Sequence, residues 1–158
     1  MDSMEIFVPY ITVKVPAGVL GDEAKAALTN GICASAAECE QVPDDPKMRA
    51  LCVVTIEEIA AGSRSFGGRD LSQMLVSFDA VVNIPKGILD DRSRARFVEL
   101  LHQAVIDALP GEKRRITSSF IVNEIEDGTW GVSGSLWKLP DFAAASGYRH
   151  LQHLVVNR

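Results

Sequence analysis

Residues 15–22 (VPAGVLGD) and residues 84–91 (IPKGILDD) carry the same pattern of proline, glycine and leucine, which indicates that the fold is built from a repeated unit. The matching letters keep one constant offset, which is the distance in sequence from Pro16 to Pro85. Another matched pair of segments begins at Glu58 and Glu124, where the offset is shorter by three. The first copy therefore holds three extra residues, for which the Pro/Asp-rich stretch 42–46 is the natural place. A repeat of this kind indicates two tandem copies of one structural unit.

Each copy has the pattern of a strand, a helix and a second strand. Apolar residues alternate in the strand segments, and in the helical segments they recur every three or four residues, as at Phe97, Leu101 and Val105. Two strands joined through a helix usually pair in parallel with a right-handed crossover. We therefore expect an α+β fold: a tandem β-α-β repeat with a four-stranded mixed sheet and two helices on one face. The predicted strands are residues 10–15, 51–58, 75–84 and 116–125. The first predicted helix runs from Asp22 onward, and the second is capped by Asp90 or Asp91 and ends at Pro110-Gly111.

We expect a single domain over residues 1–158, with repeat 1 at about 9–68, repeat 2 at about 75–137 and a C-terminal segment at 138–158. The strands supply more apolar side chains than one helical layer needs, which predicts self-association through the other sheet face. The C-terminal segment from Phe142 to Val156 is an alternative cover for part of that face. The side chains concerned are Val53, Ile56, Val76, Phe78, Val82, Phe120 and Val122.

Composition limits the classes of partner. The chain has 158 residues, 47 % of them hydrophobic and 23 % charged, which is typical of a globular protein. Its net charge of −5 argues against nucleic acid, because phosphate binding needs a concentrated basic surface. No apolar run is long enough to span a bilayer, and the first residues lack the basic start and long apolar stretch of a secretory signal. We therefore expect a cytoplasmic protein without a membrane partner.

The cysteines and histidines form no recognisable metal or redox motif. Cys33, Cys39 and Cys52 show no Cys-x-x-Cys spacing, and we interpret them as small buried apolar side chains. His150 and His153 are close enough in sequence to share a helix face, but no further ligands cluster with them. The sequence thus predicts no metal site.

Two segments resemble 4-oxalocrotonate tautomerase-like proteins of the tautomerase superfamily. Residues 124–134 (EIEDGTWGVSG) are similar to the family's segment after its second strand, in which a glutamate, a glycine and an aromatic residue precede a glycine-rich turn and hairpin. Repeat 1 keeps this frame but has Arg64 where repeat 2 has the aromatic Trp130. Residues 9–18 (PYITVKVPAG) resemble the family's opening strand. The resemblance covers about residues 9–68 and 75–137.

The resemblance implies a fused tautomerase that assembles as a homotrimer and uses no cofactor. Family enzymes use an amino-terminal proline as the base that moves a proton in a keto or enol acid, and cationic side chains hold the substrate carboxylate. Related members use the same proline for dehalogenation or decarboxylation. By this resemblance Pro9 is the expected catalytic residue, and Lys14, Arg64, Arg69 and Trp130 are the expected substrate-binding residues.

The sequence departs from the family at two places. Eight residues precede Pro9, so its nitrogen is a tertiary amide that cannot act as a base unless residues 1–8 are removed. The family's arginines after the strand-to-helix glycine and in the later strand are replaced by Val19 and Ile88 and by Val53 and Ser119. Two functions therefore stay open: a tautomerase acting on a small keto or enol carboxylic acid, and a non-catalytic trimeric protein of this fold that binds a small molecule or a partner protein.

Overall fold

The repeat builds one four-stranded sheet. In the computed structural model, which describes residues 8–49 and 51–155, the strands of this sheet are ordered β2-β1-β3-β4. The outer pairs, β1 with β2 and β3 with β4, are parallel, and the central pair β1 with β3 is antiparallel. The elements of the repeats are β1 (Tyr10–Pro16), α1 (Asp22–Glu40), α2 (Pro46–Arg49), β2 (Val53–Ile59), β3 (Leu75–Pro85), α3 (Asp91–Ala108) and β4 (Arg115–Ile125). The predicted α+β fold with a mixed sheet is confirmed.

The remaining elements follow the second repeat. They are a hairpin of β5 (Trp130–Val132) and β6 (Ser135–Trp137), the helix α4 (Leu139–Ser146) and a 3-10 helix at Arg149–Leu154. Residues 1–7 and 156–158 of the expected domain lie outside the described residues.

An approximate twofold axis relates the two repeats. Thr12 of β1 lies opposite Val81 of β3, and their distance in sequence equals that between Pro16 and Pro85. The helices α1 and α3 also begin at this offset, and β2 and β4 end at the shorter offset that relates Glu58 to Glu124. Each residue near one end of the sheet therefore has its counterpart near the opposite end.

The core lies between the sheet and the layer formed by α1 and α3. The two helices approach closely at Gly31, where a Cβ atom would lie 3.0 Å from the Cβ of Ala104. Helix α3 begins with a capping box, in which the Asp90 carboxylate accepts from the Ser93 backbone N–H at 2.8 Å and the Ser93 hydroxyl accepts from the Asp90 N–H at 2.9 Å. Of the two capping residues proposed from the sequence, Asp90 is the N-cap and Asp91 the first helical residue.

The expectation of a strongly apolar outer sheet face is wrong for six of the seven residues that supported it. Alternation along β3 directs Val76, Phe78 and Val82 to the helices, and each is fully buried in the core. Ile56, Phe120 and Val122 pack against the same core. The layer formed by the two helices therefore covers more of the sheet's apolar surface than the sequence led us to expect. The outer face is mixed: it carries polar residues together with Tyr10, Val81 and Ile121.

The C-terminal segment packs against the ends of the helical layer. The Tyr148 hydroxyl donates to the Glu40 carboxyl at the end of α1, and the His150 ring lies 2.7 Å from the Ile88 carbonyl before α3. Leu139 contacts Gly87, where a Cβ atom would lie 2.8 Å from the leucine side chain. Gly87 also has a φ of +101°, so both its backbone conformation and its neighbour favour glycine there.

Candidate functional site

Pro9 lies at the entrance to β1 and is buried together with Val8, whose exposed fraction is 4 %. Its carbonyl accepts a hydrogen bond from the Val53 N–H at 3.0 Å, which fixes this segment beside the start of β2. The Pro9 nitrogen is joined to Val8 in a peptide bond, so its lone pair is delocalised into the Val8 carbonyl. In this form the proline cannot accept a proton.

Aromatic side chains form a wall at the end of the sheet where β1 begins. The rings of Trp130 and Tyr10 have centroids 6.1 Å apart, and Phe142 packs edge-on against Trp130 at 5.5 Å. An open groove of about 430 Å³ lies along this wall. Its lining is Tyr10, Asn83, Ile125, Thr129, Trp130 and Gly131, none of which is charged. The sequence singled out Trp130 but missed Asn83, which comes into the groove because β3 pairs with β1 at Tyr10.

Two cations at this end of the sheet, Lys86 and Arg94, form ion pairs. Lys86, which follows β3, lies 2.8 Å from Glu126, and Arg94 of α3 donates to Glu124 at 2.9 Å and to Asp91 at 2.8 Å. The acidic partners raise the pKa of both Lys86 and Arg94, mainly through these hydrogen bonds, so both side chains stay charged.

Arg64 lies at the opposite end of the sheet. Its guanidinium donates to the Ser77 carbonyl at 2.9 Å and to the Asp79 carboxylate, both on β3. Lys14 is the neighbour of Asp79 across the β1–β3 pair and is exposed. Arg69 is exposed in the turn after Arg64, where the backbones of Phe66 and Arg69 pair at 2.8 and 3.2 Å. Lys14, Arg64 and Arg69 thus belong to one end of the molecule.

A cavity of about 160 Å³ lies at Arg64, and we call it the Arg64 cavity. Its walls are mainly apolar, and its polar groups include two arginines. The lining residues are Pro16, Ala17, Val19, Ile59, Ala60, Ala61, Gly62, Arg64, Phe66, Asp70, Ser72, Leu75, Ser77 and Arg114. Such a mixture suits a small molecule with an apolar body and a charged group.

Arg114 is the cavity residue that sequence reasoning missed. It donates to the Ser72 carbonyl at 3.0 Å and to the Glu112 carboxylate at 2.8 and 3.0 Å. These bonds lower the pKa of Glu112 to about 2, so both partners stay ionised at neutral pH. Only the pairing of β3 with β4 brings Arg114 to the cavity, so no motif in the sequence points to it.

Within residues 8–49 and 51–155, no three histidine, cysteine or acidic side chains are grouped so that they could hold a metal ion. His150 lies against the backbone of Ile88, and His153 is exposed. No helix in the same part of the chain is both long enough and apolar enough to cross a membrane.

No family model matches the sequence, and no curated protein matches it closely enough to count as a relative. Several solved structures, however, match the fold of this chain. A fused 4-OT that forms an asymmetric trimer aligns with a TM-score of 0.66 at 17 % identity, over 81 % of this chain and 95 % of the other. A member of the cis-3-chloroacrylic acid dehalogenase family aligns with a TM-score of 0.67 at 21 % identity, over 86 % and 88 %. A protein inactivated by 2-oxo-3-pentynoate aligns with a TM-score of 0.64 at 16 % identity, over 82 % and 96 %.

The chain has the tautomerase fold. At these identities the likeness establishes the fold alone. The fold explains why Arg64 and Trp130, which occupy the same place in the two repeats, lie at opposite ends of the sheet.

The tautomerase fold separates the expected site residues into two groups. Pro9 and Trp130 lie at one end, whereas Lys14, Arg64 and Arg69 lie at the other. The extended chain from Pro9 to Lys14 corresponds to roughly 16 Å. The Arg64 cavity is therefore the counterpart, in the other repeat, of the groove beside Pro9. The repeat in the sequence pairs Arg64 with Trp130, and the twofold relation of the two copies in the structure places these residues at opposite ends of the sheet.

Proposed function

We propose that this tautomerase-fold chain binds a small keto or enol carboxylic acid in the Arg64 cavity, and that it does not use Pro9 as a base while Val8 precedes it. The observation that carries the proposal is the pairing of a mainly apolar cavity with a guanidinium in its wall. The buried Val8–Pro9 segment argues against proline chemistry in the same form of the chain. The structurally similar protein inactivated by 2-oxo-3-pentynoate, itself a keto acid, supports this class of ligand.

Arg64 has the chemistry to anchor a carboxylate. A guanidinium carries five N–H donors, and the bonds to Ser77 and Asp79 use only part of this capacity. Its side chain keeps 23 % of its surface exposed, so a ligand can reach it. Asp79 limits the affinity, because a carboxylate ligand would share the guanidinium with a second negative group.

The first prediction concerns ligand binding at Arg64. Arg64→Gln should weaken binding of phenylpyruvate at least about tenfold, or roughly 1.4 kcal/mol, because it removes a charge-assisted hydrogen bond. Asp79→Asn should strengthen binding by about threefold, because it removes the competing negative charge. Isothermal titration calorimetry on the full chain measures both changes.

Arg96→Gln is the matched control, since Arg96 is an exposed arginine of α3 whose partners are Glu38 and Glu99. It should bind the ligand like the wild type. Equal affinity in the wild type, Arg64→Gln and Asp79→Asn would place the ligand elsewhere and contradict the proposal.

A second candidate function is proline-dependent proton transfer in a form that begins at Pro9. The groove lined by Tyr10, Asn83 and Trp130 supports it, because this groove lies at the end of the sheet that holds Pro9 and the resemblance implies that Trp130 binds substrate. Removal of residues 1–8 would convert the Pro9 nitrogen into a secondary amine. The activity would be tautomerisation or, as in related enzymes, dehalogenation or decarboxylation of a small acid.

The second prediction tests this alternative. The chain that keeps Val8 should show little tautomerisation of phenylenolpyruvate, whereas the form beginning at Pro9 should be faster by at least about tenfold, or roughly 1.4 kcal/mol of barrier. Ultraviolet absorbance follows the loss of the enol, and intact mass verifies the terminus. Replacing Pro9 by Ala in the short form should remove most of the gain. Full activity in the chain that retains Val8 would identify a base other than Pro9.

We further propose that the chain self-associates as a homotrimer. The outer sheet face carries Val81 and Ile121 side by side, with exposed fractions of 38 % and 61 %. The fused 4-OT structures that resemble this chain include symmetric and asymmetric trimers, which supports the same number of subunits.

A further inference from the structure

Cys33 and Cys52 are brought together by the fold although 19 residues separate them in the sequence. Cys33 lies within α1, and Cys52 is the residue immediately before β2. The Cys33 sulfur lies 3.9 Å from the Cys52 carbonyl oxygen, so the two residues are in contact where α1 packs beside the start of β2. Both side chains are half-buried, so a small oxidant can reach them.

We propose that Cys33 and Cys52 form a reversible disulfide when the protein meets a peroxide. A cysteine sulfur that touches the backbone of a second cysteine needs only a small local adjustment to bring the two sulfurs to bonding distance. The disulfide would connect helix α1 to the residue that precedes β2. It would form only when these two elements are packed together, and it would then hold them in place.

The environment assigns different roles to the two sulfurs. The neighbouring Cys52 thiol lowers the pKa of Cys33, outweighing the opposing effect of burial. The same contact, together with burial, raises the pKa of Cys52. Because the thiolate is the nucleophile, Cys33 attacks the oxidant and Cys52 resolves the product.

The reaction balances with hydrogen peroxide as the oxidant. The Cys33 thiolate attacks one peroxide oxygen, the O–O bond breaks, and the sulfur becomes a sulfenic acid while the leaving hydroxide takes up a proton to form water. The Cys52 sulfur then attacks the sulfenic sulfur, loses its proton and releases a second water as the S–S bond forms. The two thiols together lose two electrons and two protons, and the peroxide gains them.

Cys39 provides an internal comparison. It lies on the same helix but is buried, and burial together with Glu38 and Glu40 raises its pKa to about 11. A thiol of this kind reacts slowly with peroxide. The structure therefore predicts a specific pairing from three cysteines.

The disulfide would act on the end of the sheet that holds Pro9. Val53, the next residue after Cys52, donates its N–H to the Pro9 carbonyl. Closing a loop of this length restricts the unfolded chain, so the oxidised protein should melt higher by on the order of 5 °C.

The experiment treats the full chain with hydrogen peroxide, blocks remaining thiols with iodoacetamide under denaturing conditions, and maps the product by peptide mass spectrometry. We expect a Cys33–Cys52 cross-linked peptide, a single alkylated cysteine at Cys39, and complete reversal by dithiothreitol. The melting temperature of the oxidised and reduced forms is measured on the same samples. Cys39→Ala should form the cross-link as the wild type does, and Cys52→Ala should lose both the cross-link and the rise in melting temperature.

Two results would overturn the inference. One is a cross-link that involves Cys39 or that joins two chains. The other is oxidation of single cysteines to sulfenic or higher acids in the wild type with no cross-link. Both are read on the wild-type chain, so a variant that folds poorly does not affect the conclusion.

Discussion

Glu40, the last residue of α1, has a carboxyl group inside the core, with 1 % of the residue exposed. The Tyr148 hydroxyl donates to its Oε1 atom at 3.4 Å, and Oε2 has no hydrogen-bond partner among the described residues. Burial raises the pKa of Glu40 to about 8, and the bond from Tyr148 opposes only part of this effect. Glu40 is therefore mostly protonated at pH 7, which avoids an unpaired buried charge.

A prediction at the residue scale follows for pH dependence. The ordinary pKa of the carboxyl is 4.5, so between pH 4.5 and 8 the folded chain keeps a proton that the unfolded chain releases. Stability consequently falls as the pH rises through this window, by on the order of 4 kcal/mol, and then levels off. The side chain of the Glu40→Gln variant does not titrate. Its free energy of unfolding relative to the wild type should therefore increase from pH 5 to pH 8, as measured by urea unfolding.

Glu38→Gln is the control for this measurement. Glu38 is exposed on the same helix and lies 3.5 Å from Arg96, an arrangement that contributes little to stability. It should retain the wild-type pH dependence. If Glu40→Gln and the wild type lost stability in parallel over this window, Glu40 would have to be ionised in the folded protein.

At the scale of elements, local sequence predicts the repeats well. The start of α3 is encoded by its capping box at Asp90 and Ser93, and its buried face by apolar residues at helical spacing. Helix α1 has Gly21 as its N-cap and no side-chain cap, yet its start was predictable because the repeat places Asp22 at the position of Asp91. Alternation and turn residues likewise give the four strands within a few residues.

The C-terminal elements were harder to predict because their contacts are distant in sequence. Helix α4 and the following 3-10 helix are held by Phe142 against Trp130 and by Tyr148 against Glu40. The latter pair is 108 residues apart. A short helix is marginal by itself, so packing against such distant partners determines where it lies.

The prediction at the scale of the whole molecule concerns assembly. If the outer sheet face forms the proposed trimer, Ile121→Lys should shift the protein toward monomers, because it places a charge in a desolvated contact. Multi-angle light scattering at micromolar concentration measures the mass. Met74→Lys changes a more exposed apolar residue in the turn before β3 and should leave the trimer intact. A wild-type mass equal to one chain would contradict the assembly.

The repeat, the order of elements and the pairing of strands within each copy were predictable from the sequence alone, because periodicity, caps and turn residues act over a few neighbours. The sequence also identified the obstacle to proline chemistry, since an internal proline nitrogen is an amide in any fold. Which side chains come into contact depends on the tertiary structure. The twofold relation of the repeats sends Arg64 and Trp130 to opposite ends of the sheet, strand pairing brings Arg114 into the Arg64 cavity, and the packing of α1 beside β2 joins Cys33 to Cys52. Contacts of this kind form only when residues far apart in the sequence come together and are buried. A short stretch of sequence therefore does not predict them.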